Sequence, residues 1–117
     1  MTFESKFHDA KIESIAFSAS SRRLTLGLIN PSGEMNSIIC ERVKGFDFTP
    51  FCEQNILFEV NVFRGRSVPE HIMGAVLVVF PGPIDDDLWV LELDSSAGMG
   101  GVIIADSFAV GEPQISP

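Results

Sequence analysis

The chain has 117 residues, of which 45% are apolar, so it can bury the core of a single domain over residues 1–117, and the class of disordered proteins is excluded. Sixteen acidic against eight basic side chains give a formal net charge of −8, which repels phosphate backbones and anionic lipid surfaces. No nucleic-acid or membrane partner is therefore expected, and a basic protein partner is favoured, unless the acidity serves solubility alone.

The expected compartment is the cytoplasm. The chain does not open with a positively charged leader followed by an apolar stretch. The longest apolar run, AVLVVF at residues 75–80, is far shorter than the ~18 residues of a membrane span. Cys40 and Cys52 each lie among apolar neighbours, which predicts buried, reduced thiols rather than a disulfide.

Alternating apolar and polar residues predict the first strand at residues 11–20. Ile15 and Phe17 fall on one face of this strand, with Glu13 beside them at the rim. That face is expected to turn toward the core.

The next two strands are predicted at residues 23–30 and 37–44, joined by the stretch NPSGEM. Pro31 presets the φ of a turn, and Gly33 accepts a left-handed conformation. The two strands should therefore form a hairpin.

A single helical turn is predicted before the fourth strand. Thr49 can serve as its N-cap, and Pro50 suits the first helical position. The strand that follows is predicted at residues 56–63, where Phe58, Val60 and Val62 share a face.

A second short helix is predicted from the spacing of Ser67 and Glu70, which is that of a capping box. Gly74 is expected to end this helix. The apolar run at residues 75–80 then predicts another strand.

The last third of the chain predicts two further strands, at residues 88–93 and 100–110. Pro81 and Pro83 cannot donate ladder hydrogen bonds, so the stretch before these strands must be a loop. The fold class is therefore mainly β: an antiparallel sandwich or rolled sheet of six to seven strands with one or two short helices. An α+β layer is the alternative.

His8 and Asp9 raise the question of a metal or acid/base site at the start of the first strand. In an extended segment, neighbouring side chains point to opposite faces and cannot converge on one metal or proton. We therefore expect a turn leading into the strand, with Asp9 bonded to nearby backbone.

No metal site, cofactor or catalytic residue is expected. His8, Cys40, Cys52 and His71 lack the close spacing with which structural zinc sites are built. Burial disfavours either thiol as a nucleophile with His71 as its base. The glycine-rich residues 95–101 lack the pattern of a phosphate-binding loop and predict a turn.

The candidates for partner contact are Asp85, Asp86, Asp87 and Trp89. The three aspartates lack the alternate spacing of a calcium loop and predict a solvated loop that could meet a basic partner. Trp89 is a candidate because tryptophan is frequent in contact hot spots, but a position in the core is the favoured interpretation for this residue. The ten phenylalanines, with no tyrosine, are expected mainly in the core because the ring carries no polar group.

The stretches FHDAKIESIAF, LTLGLINPSGE and VKGFDFTPFCEQNILFEV resemble small, uncharacterised bacterial cytoplasmic proteins. Those proteins open with His-Asp-Ala/Ser-x-Ile or -Leu and carry a Phe-x-x-x-Asn-Ile strand start. The matching positions are His8, Asp9, Ala10, Ile12, Phe51, Asn55 and Ile56. Some proteins of this kind are taken to be immunity proteins that neutralise toxins. The resemblance implies no catalytic residue. His8, Asp9 and Asn55 are interpreted as structural residues at the starts of strands.

Two hypotheses on function follow. The first is a non-catalytic interaction protein whose acidic surface meets a basic partner. The second is a small-molecule-binding protein or an unrecognised enzyme, with a pocket near His8 or His71. A homodimer through an exposed strand edge, at residues 75–80 or 88–93, is a further possibility.

Overall fold

The strands, which have alternating apolar and polar residues, close into a barrel. The computed structural model describes residues 7–114, in which six antiparallel strands form the barrel. The strands are β1 (Lys11–Ser18), β2 (Arg23–Ile29), β3 (Met35–Phe48), β4 (Ile56–Arg64), β5 (Trp89–Ala97) and β6 (Gly101–Gln114). A 3-10 turn, Gly65–Ser67, and helix α1, Glu70–Val79, connect β4 to β5.

The strands follow the order β1-β2-β3-β6-β5-β4 around the barrel, and the pairing of Lys11 with Ile56 closes it. This confirms the prediction of a mainly β, antiparallel rolled sheet. The predicted hairpin between β2 and β3 is also present. Asn30 N donates to Glu34 O at 2.9 Å, and Gly33 has a φ of 91°.

The inner core lies inside the barrel and follows the two-residue alternation of the strands. Leu24, Leu26 and Leu28 on β2 are fully buried there, as are Leu91 on β5 and Ile103 on β6. Burial of one such side chain stabilises the fold by about 1.5–3 kcal/mol.

A second apolar layer lies outside the barrel, under helix α1. Ile72 and Val76 of the helix pack on Val90, Val102 and Ile104. The middle of β6 is therefore buried on both faces, which explains its unbroken apolar run. The helix also passes close to β3, because a Cβ added at Gly45 would overlap the side chain of Val79.

The predicted helical turn at Thr49 and Pro50 is wrong. These residues begin a loop without regular structure. The Thr49 hydroxyl accepts a hydrogen bond from Gly100 N at 2.8 Å, so it holds this loop to the β5–β6 connection instead of capping a helix.

The predicted helix end at Gly74 and the predicted strand at residues 75–80 are wrong as well. Helix α1 continues through Gly74 to Val79, and it begins after Pro69 without a side-chain cap from Ser67. A short apolar run suits a strand or a buried helix equally. Here contact with the outer face of the barrel favours the helix. Of the two segments proposed for a homodimer, residues 75–80 lie in or next to this helix, and residues 88–93 belong largely to β5, which pairs with strands on both sides. Neither segment therefore offers a free strand edge.

The expectation that phenylalanines lie mainly in the core is wrong for several rings. Phe17, Phe46, Phe51 and Phe58 are exposed by 36–54%. The register of β1 shifts between Ile12 and Ser14. Ile12 is buried, whereas Phe17 lies near the end of the strand and is exposed. Aliphatic side chains fill the barrel, and these rings are left at its surface.

Between residues 7 and 114, no helix combines the length and the apolar content that crossing a membrane would require.

Candidate functional site

His8 and Asp9 occupy a turn before β1. Asp9 has a φ of 63°, so the backbone is not extended, and His8 Nδ1 lies 3.3 Å from Asp9 Oδ2. The expected divergence of the two side chains is therefore wrong, because it assumed a strand. The backbone amide of Asp9 donates to Leu57 O on β4 at 2.9 Å, which joins the turn to that strand. Both side chains remain largely exposed.

Asn55 is buried between two loops. Its Oδ1 accepts hydrogen bonds from Cys52 N at 2.8 Å and from Met99 N at 2.9 Å, and its Nδ2 donates to Cys52 O at 2.7 Å. The side chain therefore joins the loop before β4 to the β5–β6 connection. This arrangement gives Asn55 a structural role at the start of β4.

The two cysteines differ in environment. Cys40 is buried in the barrel, where desolvation, with a smaller contribution from Glu41, raises the pKa of its thiol to about 12. Cys52 is exposed, which corrects the expectation that both thiols are buried. Over the described residues 7–114, no three His, Cys, Asp or Glu side chains are grouped so that they could hold a metal ion.

Asp85, Asp86 and Asp87 lie in an exposed loop before β5. Asp86 fixes this loop to the chain that follows β4, because its Oδ1 accepts from Arg66 N at 3.0 Å and its carbonyl oxygen accepts from Arg64 Nη1 at 2.8 Å. Asp85 Oδ1 accepts from Asp87 N at 3.0 Å. The loop is thus held in shape by its own carboxylates.

Trp89 is half-buried and packs against the inner core. The guanidinium carbon of Arg64 lies 3.8 Å from the centroid of its ring, and Phe108 approaches the ring edge-on at 5.3 Å. Arg64 therefore links Trp89 to the loop of Asp85, Asp86 and Asp87, which we call the aspartate loop.

A cleft of about 410 Å³ lies between helix α1 and the neighbouring ends of β5 and β6. We call it the acidic cleft. Ile72, Ala75 and Val102 form its apolar side, and Glu92, Asp94 and His71 form its polar side. From this group, sequence reasoning proposed a pocket near His71 and did not single out Glu92.

Glu92 is a largely buried carboxylate of the acidic cleft. Its side chain is only 12% exposed. Oε2 lies 3.0 Å from His71 Nε2, and Oε1 accepts a hydrogen bond from Asn61 Nδ2 at 3.1 Å. The contacts fix Glu92 between the helix and β4.

Negative charge accumulates around Asp94. The residue pairs with Glu59 across β4 and β5, and Glu92 is two positions before it on the same strand. Desolvation raises the pKa of Asp94, the charges of Glu92 and Glu59 raise it further, and His71 lowers it. Like charges disfavour ionisation of a neighbouring carboxyl, so a cation placed here would relieve the repulsion.

The hydroxyls that line the acidic cleft are already bonded to backbone. Ser95 Oγ donates to Gly98 O at 3.2 Å, and Thr49 Oγ1 accepts from Gly100 N at 2.8 Å. The cleft therefore presents carboxylates and an imidazole beside an apolar wall. This chemistry suits the aliphatic stem and charged end of a lysine or arginine.

The sequence holds a partial signal for this site. Glu92 lies in the strand predicted at residues 88–93 and Asp94 directly follows that strand, so an extended chain would place the two side chains on one face. The placement of Glu59 opposite Asp94 depends on strand register, and the placement of His71 depends on how the helix packs. Neither can be read from local spacing.

Comparison of the chain with protein-family models, with curated proteins and with solved structures finds no match.

Proposed function

We propose that this chain is a non-catalytic protein of the bacterial cytoplasm that binds a basic protein partner, in the manner of a toxin-immunity protein. The observation that carries this proposal is the proximity of Glu92 and Asp94 beside the apolar wall of the acidic cleft, with Glu59 paired opposite Asp94 on β4. Mutual repulsion among these carboxylates disfavours the free state and is reduced when a partner's cation enters the acidic cleft.

The charge of the whole chain supports the same partner class. A formal net charge of −8 accelerates encounter with a basic protein and slows encounter with an acidic one. Screening by salt weakens attraction of this kind. The proposed complex should therefore weaken as salt concentration rises.

The test is capture of the partner from the source cell, followed by calorimetric titration of the purified partner at low and high salt. The variant Glu92→Gln/Asp94→Asn removes two charges from the acidic cleft. Glu34→Gln/Asp47→Asn is the matched control, because it removes the same charges from exposed positions outside the cleft.

We expect the cleft variant to weaken binding by about tenfold or more, and the control to change it by less than about threefold, as rim charges do. An acidic or uncharged partner, or affinity that salt leaves unchanged, would contradict the proposal.

A second candidate function is binding or turnover of a small cationic molecule. The acidic cleft at His71 supports it, and so does a pocket of about 380 Å³ beside the His8–Asp9 turn, lined by Asp9, Lys11 and Asn30. Saturable binding of a diamine to the free protein, abolished in Glu92→Gln, would favour this function. Turnover that is lost in His71→Ala would favour an enzyme.

A further inference from the structure

Helix α1 has a second cleft on the side opposite the acidic cleft. Residues that face the acidic cleft include His71 and Ala75, whereas Met73 and Leu77 face the second cleft. This space measures about 400 Å³ and runs between the helix and the segment at residues 82–84. We call it the apolar groove.

Within the described residues 7–114, the apolar groove has exposed walls. Its walls include Val68, Met73, Leu77, Pro83 and Ile84. Met73 is 37% exposed and Leu77 is 47% exposed, and residues 72–84 contain no charged side chain. Contiguous exposed apolar surface bordered by polar residues is characteristic of protein-binding sites.

The border of the groove is acidic. Asp85, Asp86 and Asp87 follow Ile84 directly, and all three are exposed. Hydrogen bonds from Arg66 N and Arg64 Nη1 to Asp86 hold this loop against the end of β4, so the three charges have a defined position. Arg66 is the basic residue among the groove's walls.

We propose that the apolar groove binds a basic amphipathic helix of the partner. Apolar side chains on one face of that helix fill the space between Leu77 and Ile84, and its lysine or arginine residues lie over Asp85 to Asp87. Helices commonly dock in this way into grooves of matching shape and opposite charge. The inference rests on the proposed function in taking a basic protein as the partner, and it names the element that the partner presents.

Charge distinguishes this occupant from the alternatives. A second copy of the chain would bring two aspartate loops and two net charges of −8 together. An anionic lipid surface would meet the same repulsion. A basic helix is attracted by the same charges.

The test uses the full chain and a fluorescent synthetic peptide, an amphipathic helix of leucine and lysine. A scrambled peptide of equal composition is the first control. Leu77→Ser removes an apolar wall of the groove. Val78→Ser is the matched variant, because Val78 is 74% exposed on the same helix and is not among the groove's walls. Thermal unfolding establishes that both variants fold.

We expect the amphipathic peptide to bind the wild-type chain more tightly than the scrambled peptide does. Leu77→Ser should weaken binding about tenfold, whereas Val78→Ser should change it less than about twofold. Asp85→Asn/Asp87→Asn should weaken binding and reduce its dependence on salt.

Equal binding of the two peptides, equal loss in the two serine variants, or no binding to the wild-type chain would overturn the inference. The inference would also be overturned by self-association, or by binding to anionic vesicles, that Leu77→Ser abolishes.

Titration of the captured partner separates this inference from the proposed function. If Leu77→Ser leaves partner affinity unchanged while the acidic-cleft variant weakens it, only the inference fails. If neither variant has an effect, both fail.

Discussion

His71 Nε2 lies 3.0 Å from Glu92 Oε2, and this contact joins helix α1 to the outer face of β5. Because Asn61 on β4 donates to the other oxygen of the same carboxylate, Glu92 is held from two sides. The helix is thereby aligned with the barrel at the edge of the acidic cleft. On its other side the same helix forms a wall of the apolar groove, so one element shapes both proposed binding surfaces.

The acidic cleft should reduce stability at neutral pH. The pKa of Asp94 is raised in the folded state, so ionisation of this carboxyl disfavours folding. Asp94→Asn should therefore raise the free energy of unfolding at neutral pH by about 0.5 kcal/mol, the scale of a partly exposed charge interaction. The gain should disappear as the pH falls through the raised pKa of Asp94 toward about 3.9, the pKa of an aspartate in the unfolded chain. Asp94 is then protonated in both the folded and the unfolded state.

Urea denaturation from acid to neutral pH measures this effect, with Asp47→Asn outside the cleft as the control. A loss of stability at neutral pH in Asp94→Asn would contradict the expected repulsion.

Asn55 should be required for stability. Asn55→Ala leaves the amides of Cys52 and Met99 without their shared acceptor. An unsatisfied buried donor costs about 1–3 kcal/mol, so we expect the variant to lose at least about 2 kcal/mol of unfolding free energy. Chemical denaturation measures the loss, and exposed Gln54→Ala is the neighbouring control. Equal stability of the two variants would show that the hydrogen bonds contribute little.

The two thiols should react at very different rates. Cys52 is exposed, whereas burial raises the pKa of Cys40 to about 12 and blocks access to it. Titration of the native protein with an aromatic disulfide reagent at neutral pH should modify Cys52 alone. Cys52→Ser should abolish the fast reaction, and denaturant should release Cys40. Fast modification of Cys40 in the native protein would be inconsistent with its position in the barrel.

Two glycines should respond to alanine in opposite directions. Apart from its chain neighbours and the backbone of its own helix, no atom of the described residues lies within 4 Å of a Cβ built on Gly74, which is exposed within helix α1. Gly74→Ala should therefore stabilise the protein by about 0.5–1 kcal/mol, since glycine disfavours a helix interior. Gly45→Ala should destabilise it, because the new methyl group overlaps Val79. Thermal unfolding compares the pair, and destabilisation by Gly74→Ala would argue against a helix at residue 74.

Local sequence accounts for much of the barrel. The hairpin between β2 and β3 follows from Pro31 and Gly33, whose backbone preferences operate within a few residues. The strands near residues 88–93 and 100–110 follow from composition and from the prolines of the preceding loop. Such features depend on neighbours along the chain, so they could be predicted without knowledge of the fold.

The acidic cleft could not be predicted in the same way. Glu92 and Asp94 share a strand face, which spacing alone reveals. Glu59 joins them only through the register of β4 on β5, and that register depends on the closed barrel. A one-residue change in pairing would reverse the face that each side chain occupies.

The mainly β class, the antiparallel hairpin and the net negative charge follow from composition and from neighbouring residues. The helix at residues 75–79 and the contact of His71 with Glu92 require the folded barrel. The helix exists there because Val76 gains burial against Val102 and Ile104 on the outside of the barrel. Such burial depends on strands distant in sequence, and its contribution outweighs the local preference of valine for a strand.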